Sequence, residues 1–233
     1  MLFRQLFEPQ SSAYTYLLGC GESGAAALID PVIETVERDL DTLRDLGLSL
    51  QYTIETHIHA DHVTGAARLR ELTGCRCALP AKSGAAHADL PIEEGTSIEI
   101  GALRLRPLYT PGHTDDHHSY WLDLTGAARV FTGDALLIDG CGRTDFQNGE
   151  AATLYRSVHD KIFSLPDDTL VYPGHDYQQR HVSSVGQERQ RNPRLGGGKT
   201  AEEFIAIMAA LDLPRPKKMD IAVPANRQCG QVH

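Results

Sequence analysis

The sequence predicts an α/β protein, and three observations carry that expectation. Short runs rich in strand formers alternate with stretches whose apolar residues recur at helical spacing. Gly and Pro punctuate the joints between them. At 233 residues and 41% hydrophobic, the chain can bury a core without disulfide staples, and one domain over 1–233 is expected.

Taken in order, residues 13–18 and 25–29 form two apolar runs joined by a Gly-flanked turn at 19–24, an opening hairpin. The stretch 32–46 carries Val36, Leu40, Leu43 and Leu46 among charged residues and stops at Gly47, which reads as a helix. A short strand at 51–54 follows, then a helix at 66–72 stopped by Gly74, then a strand at 76–79. Residues 82–94 are broken by Ala, Gly and Pro and read as irregular, whereas 97–100 and 103–109, split by Gly101, read as a hairpin. Strands at 118–122 and 129–133 precede a helix at 150–165 with Leu154, Val158 and Ile162 on one stripe, and a further strand begins at Thr169. Residues 177–192 are polar and Pro193 breaks any helix there. Gly196 to Gly198 make a joint, and Thr200 with Glu203 is a capping-box start for a helix to Leu211.

Chemistry concentrates where strands end. His57, His59, Asp61 and His62 crowd the loop after the strand at 51–54. Imidazole and carboxylate are ligand types for divalent zinc, iron and manganese, and alternate residues of an extended segment share a face, as His57 and His59 can. The same event recurs at His113 after Thr110-Pro111-Gly112, at Asp134 after Gly133, and at His175 after Pro173-Gly174. Four strands therefore finish in ligand types. His117 and His118 open a strand, where a satisfied polar role is the ordinary one.

The net charge of −9 and few aromatics leave no basic footprint for nucleic acid. No run approaches a membrane span, the first residues do not form a signal peptide, and a cytoplasmic protein is expected. Five cysteines without a C-x-x-C pair argue against a disulfide framework. Cys141 reads as a small buried side chain.

The order His57-x-His59-x-Asp61-His62, His113, Asp134, His175 resembles the metallo-β-lactamase superfamily, which implies an αββα sandwich with a metal at one edge. Three further stretches resemble its persulfide dioxygenase branch rather than its glyoxalase II branch. They are 133–146 with Gly140-Cys141-Gly142-Arg143-Thr144-Asp145-Phe146, then Tyr172-Pro173-Gly174-His175-Asp176-Tyr177, and Asn192-Pro193-Arg194 with the tail Val223-Pro224-Ala225-Asn226. Residues 115–118 are more polar and His-rich than the family pattern.

The resemblance implies one Fe(2+) per chain held by His57, His113 and Asp134, with His59, Asp61, His62 and His175 supporting, and Asp61 as an acceptor for the spare nitrogens of His57 and His113. Two imidazoles and one carboxylate leave positions open for O2 and a substrate sulfur together. It further implies oxidation of glutathione persulfide by O2 and water to sulfite and glutathione. Arg143 and Arg194 are then natural forks for the carboxylates of glutathione, Asp145 for its ammonium and Tyr177 for its peptide. For Arg143 and Asp145 the alternative is a salt bridge bracing the loop. The letters also suit a dizinc thioester hydrolase of the glyoxalase II kind, using all seven residues. A sulfur-carrier or redox-sensing protein without turnover is the third reading. A homodimer is admissible; the sequence does not fix the assembly.

Overall fold

Alternation along the strands decides how the layers stack. In β2 (Ala13–Gly19) and β3 (Ala25–Ile29) every residue is buried, because both faces of the sheet are covered. Tyr14, Tyr16, Leu18, Ala25, Ala27 and Ile29 face one apolar cluster, while Leu17, Ala26 and Leu28 face another. The two-residue period of a strand sends neighbours to opposite sides. Each fully buried Leu or Ile contributes roughly 1.5–3 kcal/mol.

The computed structural model describes residues 1–124, 126 and 128–231. With β1 (Leu2–Glu8), β4 (Ser49–Ile54), β5 (Arg76–Pro80) and β6 (Leu90–Ile92), these strands build a six-stranded sheet in the order β1-β2-β3-β4-β5-β6. Its first three strands run antiparallel and the rest parallel. The second sheet contains β7 (Ile98–Ile100), β8 (Leu103–Tyr109), β9 (His118–Leu122), β10 (Arg129–Gly133), β11 (Leu170–Pro173) and β12 (Ser183–Ser184), in the reverse order β12 to β7.

Parallel neighbours need a crossover, and helices supply it. Helix α1 (Val36–Asp45) links β3 to β4, and α2 (Ala66–Thr73) links β4 to β5; both pack outside the first sheet through Val36, Leu43 and Leu69. Helix α3 (Ala151–Ser157) runs into a π-helical turn at Val158–Ile162 and links β10 to β11. It packs outside the second sheet with α4 (Val185–Arg191) and α5 (Ala201–Ala209) through Leu154, Val158, Val185 and Phe204. The two inner faces share Tyr16, Tyr120, Phe131 and Ile54, so the layers are α, β, β, α.

Several local expectations hold in detail. Thr200 accepts from the Glu203 amide and Glu203 returns a bond to the Thr200 amide, the predicted capping box. Besides the two-residue β12 and a 3-10 turn at Ala81–Ser83, the structure adds four elements that the sequence reading left out. β1 is a half-buried edge strand whose Phe3 stacks on Tyr16 with ring centroids 6.2 Å apart. β6 falls inside the stretch expected to be irregular; its three residues are too few to show a period, and its exposed Pro91 is tolerated in a short strand at the sheet edge. α4 lies in the polar stretch 177–192, capped by Ser184, which accepts from the Gln187 amide at 3.2 Å. α6 (Met219–Asn226) closes the chain against Val63 through Ala222 and Ala225. Among the described residues all five cysteines are free and buried, and no helix is long and apolar enough to cross a membrane.

Candidate metal centre

The four ligand-type strand ends meet along one edge where the two sheets face each other. β2 ties this edge together: the Tyr14 amide donates to the Gly174 carbonyl at 2.9 Å, and the Tyr16 hydroxyl to the Pro173 carbonyl at 2.6 Å. His57, His113 and Asp134 each bring a ligand atom within 4.8 Å of the other two. His59, Asp61 and His62 form a second such group, and Asp30, Glu55 and His59 a third.

The tautomers follow from the acceptors. The Thr56 hydroxyl donates its one proton to Asp30 Oδ2 at 2.8 Å, so at 2.9 Å it can only accept from His57 Nδ1–H. His113 Nδ1 lies 2.7 Å from the Arg143 carbonyl, which can only accept. In the neutral form each ring therefore carries its proton on Nδ1 and presents Nε2 as the lone pair. His57 is 2% exposed, and burial, reinforced by the neighbouring His59, His113 and His117, holds its pKa well below the ordinary value. Asp134 Oδ1 accepts from His175 Nδ1 at 2.8 Å, while Oδ2 lies 3.5 Å from His113 Nε2. Two imidazole lone pairs and one carboxylate oxygen thus fit one divalent ion, a test met by donor chemistry.

The remaining histidines sit differently. His175 Nε2 bonds Asp61 Oδ2 at 2.9 Å, so both its nitrogens meet carboxylates. Burial disfavours its charge, but Asp134 and Asp61 outweigh burial and push its pKa well up. Burial likewise opposes charge on His59, and Asp30 at 3.1 Å with Glu55 at 3.4 Å raises it nonetheless. His62 Nδ1 rests on Asp61 at 3.0 Å. His59 Nδ1 and His62 Nε2 are buried with no hydrogen-bond partner among the described residues.

The expected role of Asp61 as tautomer-setter for His57 and His113 is corrected: it serves His62 and His175, and Thr56 with the Arg143 carbonyl takes the place assigned to it. His117 spends both nitrogens inside the protein, Nδ1 on Thr110 at 2.9 Å and Nε2 accepting the Asp134 amide at 3.1 Å. Asp116 accepts from the Ile58 amide at 3.0 Å, so the unusual 115–118 segment steadies both ligand loops. Gly142 passes so close that a Cβ there would lie 2.7 Å from His113 Nδ1 and 2.5 Å from the Asp134 carbonyl. Among these, Thr56 had a legible signal, its place next to His57; Asp30 and Asp116 had none.

A cleft of about 680 Å³ opens from His57, His113 and Asp134 toward Tyr177, Arg194 and the segment 213–217. Arg143 lines it, but its guanidinium is engaged: Nε and Nη2 hold Asp145 at 2.7 Å each, and Nη1 holds the Pro214 carbonyl at 2.7 Å. Its plane also lies 4.4 Å over Phe146. Asp145 does not line the cleft. Arg194 keeps Nη1 on the Cys141 carbonyl at 2.8 Å, and Tyr177 is 78% exposed beside His175. Burial pushes the Cys141 thiol up to about 11, as suits an inert core residue. Arg215 and Lys217, unremarked in the sequence, also line the cleft.

A four-layer αββα fold with this His and Asp edge defines a class, and the chain belongs to the metallo-beta-lactamase superfamily, whose family model matches residues 9–175. It is 54% identical to "Persulfide dioxygenase ETHE1, mitochondrial" of Mus musculus, over 99% of this chain and 89% of that protein. The crystal structure of ETHE1 from Myxococcus xanthus superposes with a TM-score of 0.95 at 52% identity, covering 99% of this chain and 100% of that one. A hydroxyacylglutathione hydrolase of Rhodospirillum rubrum is more distant, 36% identical over 86% of this chain and 75% of the relative.

Proposed function

We propose that this chain is a persulfide dioxygenase that oxidises glutathione persulfide with O2 and water to glutathione and sulfite, using one Fe(II) held by His57, His113 and Asp134. The likeness to persulfide dioxygenases over nearly the full length supports the activity. Within the site, the observation that carries the single-ion reading is His175. It occupies Asp134 Oδ1 and also holds Asp61, so Asp134 keeps one oxygen for a metal rather than two for a bridge.

When bound, the iron would supply open positions for O2 and the terminal persulfide sulfur together with one-electron chemistry. The chain's own residues hold and orient. Thr56 and the Arg143 carbonyl keep the Nδ1 protons of His57 and His113, which fixes both rings. His117 anchors the Asp134 backbone from behind. In the cleft, Arg194 is the fork offered to a glutathione carboxylate and Tyr177 the donor to its peptide, while Arg143 and Asp145 brace the wall against the 213–214 carbonyls. The reacting sulfur is thereby held against the ligand set.

The converging group His59, Asp61 and His62, with its two unpartnered nitrogens, favours a second reading, a dizinc thioester hydrolase. Anaerobic purification, metal analysis and O2 uptake with glutathione persulfide separate the two. One iron with O2 uptake is expected. Two zincs, with hydrolysis of S-lactoylglutathione and no O2 uptake, overturn the proposal.

A further inference from the structure

The last turn of α6 and the residues after it close around the loop that carries His57, although more than 160 positions separate them. Asn226 is 2% exposed. Its Nδ2 donates to the carbonyls of His59 and His62, both at 2.9 Å, and its Oδ1 accepts from the Thr64 amide at 2.9 Å. Both hydrogens and one acceptor lone pair of the amide are therefore spent on one loop. The contact continues along the backbone: the Cys229 carbonyl accepts from the Ala67 amide at 2.9 Å. Gly230, at φ +86°, passes where a Cβ would lie 2.3 Å from the Thr64 carbonyl.

Between Ile54 and Ala66 the loop belongs to no helix and no named strand, so no regular ladder satisfies its buried carbonyls. Buried carbonyls demand partners, and here a side chain from the far end of the chain supplies them. We propose that Asn226 is a positioning residue for the metal centre, clamping the backbone of 59–64 so that His57 faces His113 and Asp134. The proposal rests on His57 being a ligand, as assigned above. A metal site tolerates only about 0.5 Å of misplacement, so a loop released from this clamp binds the ion less well.

The test compares the wild-type chain with Asn226→Ala, Asn226→Ser and Leu50→Ala. The serine variant leaves room for a bridging water and keeps a folded protein available if the alanine variant does not accumulate. Leu50 lies in the outer cluster under α1, so its truncation lowers stability away from the loop. Four quantities are read: Fe(II) retention against a competing chelator, hydrogen exchange of the Thr64 amide, melting of the metal-free chain, and kcat with KM for glutathione persulfide. The Asn226 variants are expected to hold Fe(II) on the order of 10- to 100-fold more weakly, to exchange the Thr64 amide faster, and to lose kcat with KM nearly unchanged. Leu50→Ala is expected to melt lower and retain iron as the wild type does. An Asn226 variant with wild-type iron retention overturns the proposal, as does equal iron loss in Leu50→Ala. Retention and exchange do not depend on turnover. A wild-type chain without O2 uptake therefore sinks the proposed activity and leaves the clamp still decided by these two readouts.

Discussion

The histidines of this edge divide by what holds their ring protons. His57, His113 and His117 lean on neutral oxygens: the Thr56 hydroxyl, the Arg143 carbonyl and the Thr110 hydroxyl. His59 and His175 lean on the carboxylates of Asp30, Glu55, Asp61 and Asp134. A neutral acceptor fixes a tautomer without adding charge, and in a buried site that leaves a neutral ring with a usable lone pair. A carboxylate draws the ring toward imidazolium, which has none to offer. Proximity alone does not separate the groups, since His57 and His59 have ring centroids 4.2 Å apart. The acceptor opposite each ring separates them.

The largest effect is expected on the two first-group histidines that face Asp134, and on Asp134 itself. His57→Ala, His113→Ala or Asp134→Ala should lose bound iron and reduce O2 uptake on the order of 10³-fold or more, the kinetic equivalent of about 4 kcal/mol. Metal analysis beside an oxygen electrode checks both. On the second group, His59→Ala or His175→Ala should keep about one iron per chain, as the single-ion reading requires, while kcat falls on the order of 10- to 100-fold. If these variants lose metal as completely as His57→Ala does, the division between the two groups breaks and a two-metal site takes its place.

How much of this division the sequence carried depends on the link. The ligand types were legible because each follows an apolar strand, and strand ends recur at one edge of such a fold. The αββα layering was legible only through the family resemblance, because β2 and β3 are covered on both faces and show no apolar–polar alternation. Partners were not legible when they came from far away: Asp30 reaches Thr56 across 26 positions and Asn226 reaches His62 across 164. A single Asp or Asn carries no periodic signal, and Asn226, like Asn192, which holds the Gly140 carbonyl at 3.0 Å, was visible only as part of a resembling motif, with no sign of its contacts. β6, α4 and α6 failed for a related reason. Each is too short for its period to register, and tertiary packing holds it in place.

Arg143 sharpens the comparison from the substrate side, since its backbone serves the first group and its side chain serves the cleft wall. Arg143→Ala keeps the carbonyl that holds His113, so iron should stay bound. It releases the bonds to Leu213 and Pro214, so KM for glutathione persulfide should rise by about 10-fold, near 1.4 kcal/mol. Steady-state kinetics beside iron analysis measures the split. An unchanged KM removes the wall from substrate binding.

The smallest effect concerns charge in the metal-free chain. Burial opposes protonation of His175, but Asp134 and Asp61 raise its pKa well above 6.5, so its contribution to stability is fully present below pH 6.5 and is lost as pH rises through the raised value. Asp134 and Asp61 are buried yet pulled well below 3.8, chiefly by His175 and His62, so their contributions are lost only as pH falls under that value. The metal-free chain should therefore melt highest between these limits and lower toward alkaline pH, by about 2–4 °C for each kcal/mol released. His175→Gln should flatten the alkaline side without abolishing it, because His59 is raised in the same sense by Asp30 and Glu55. Calorimetry of both chains across pH 5 to 9 reads the slopes. Equal slopes would mean that His175 is not the charged member of its pair, and its exclusion as a ligand would lose its physical basis.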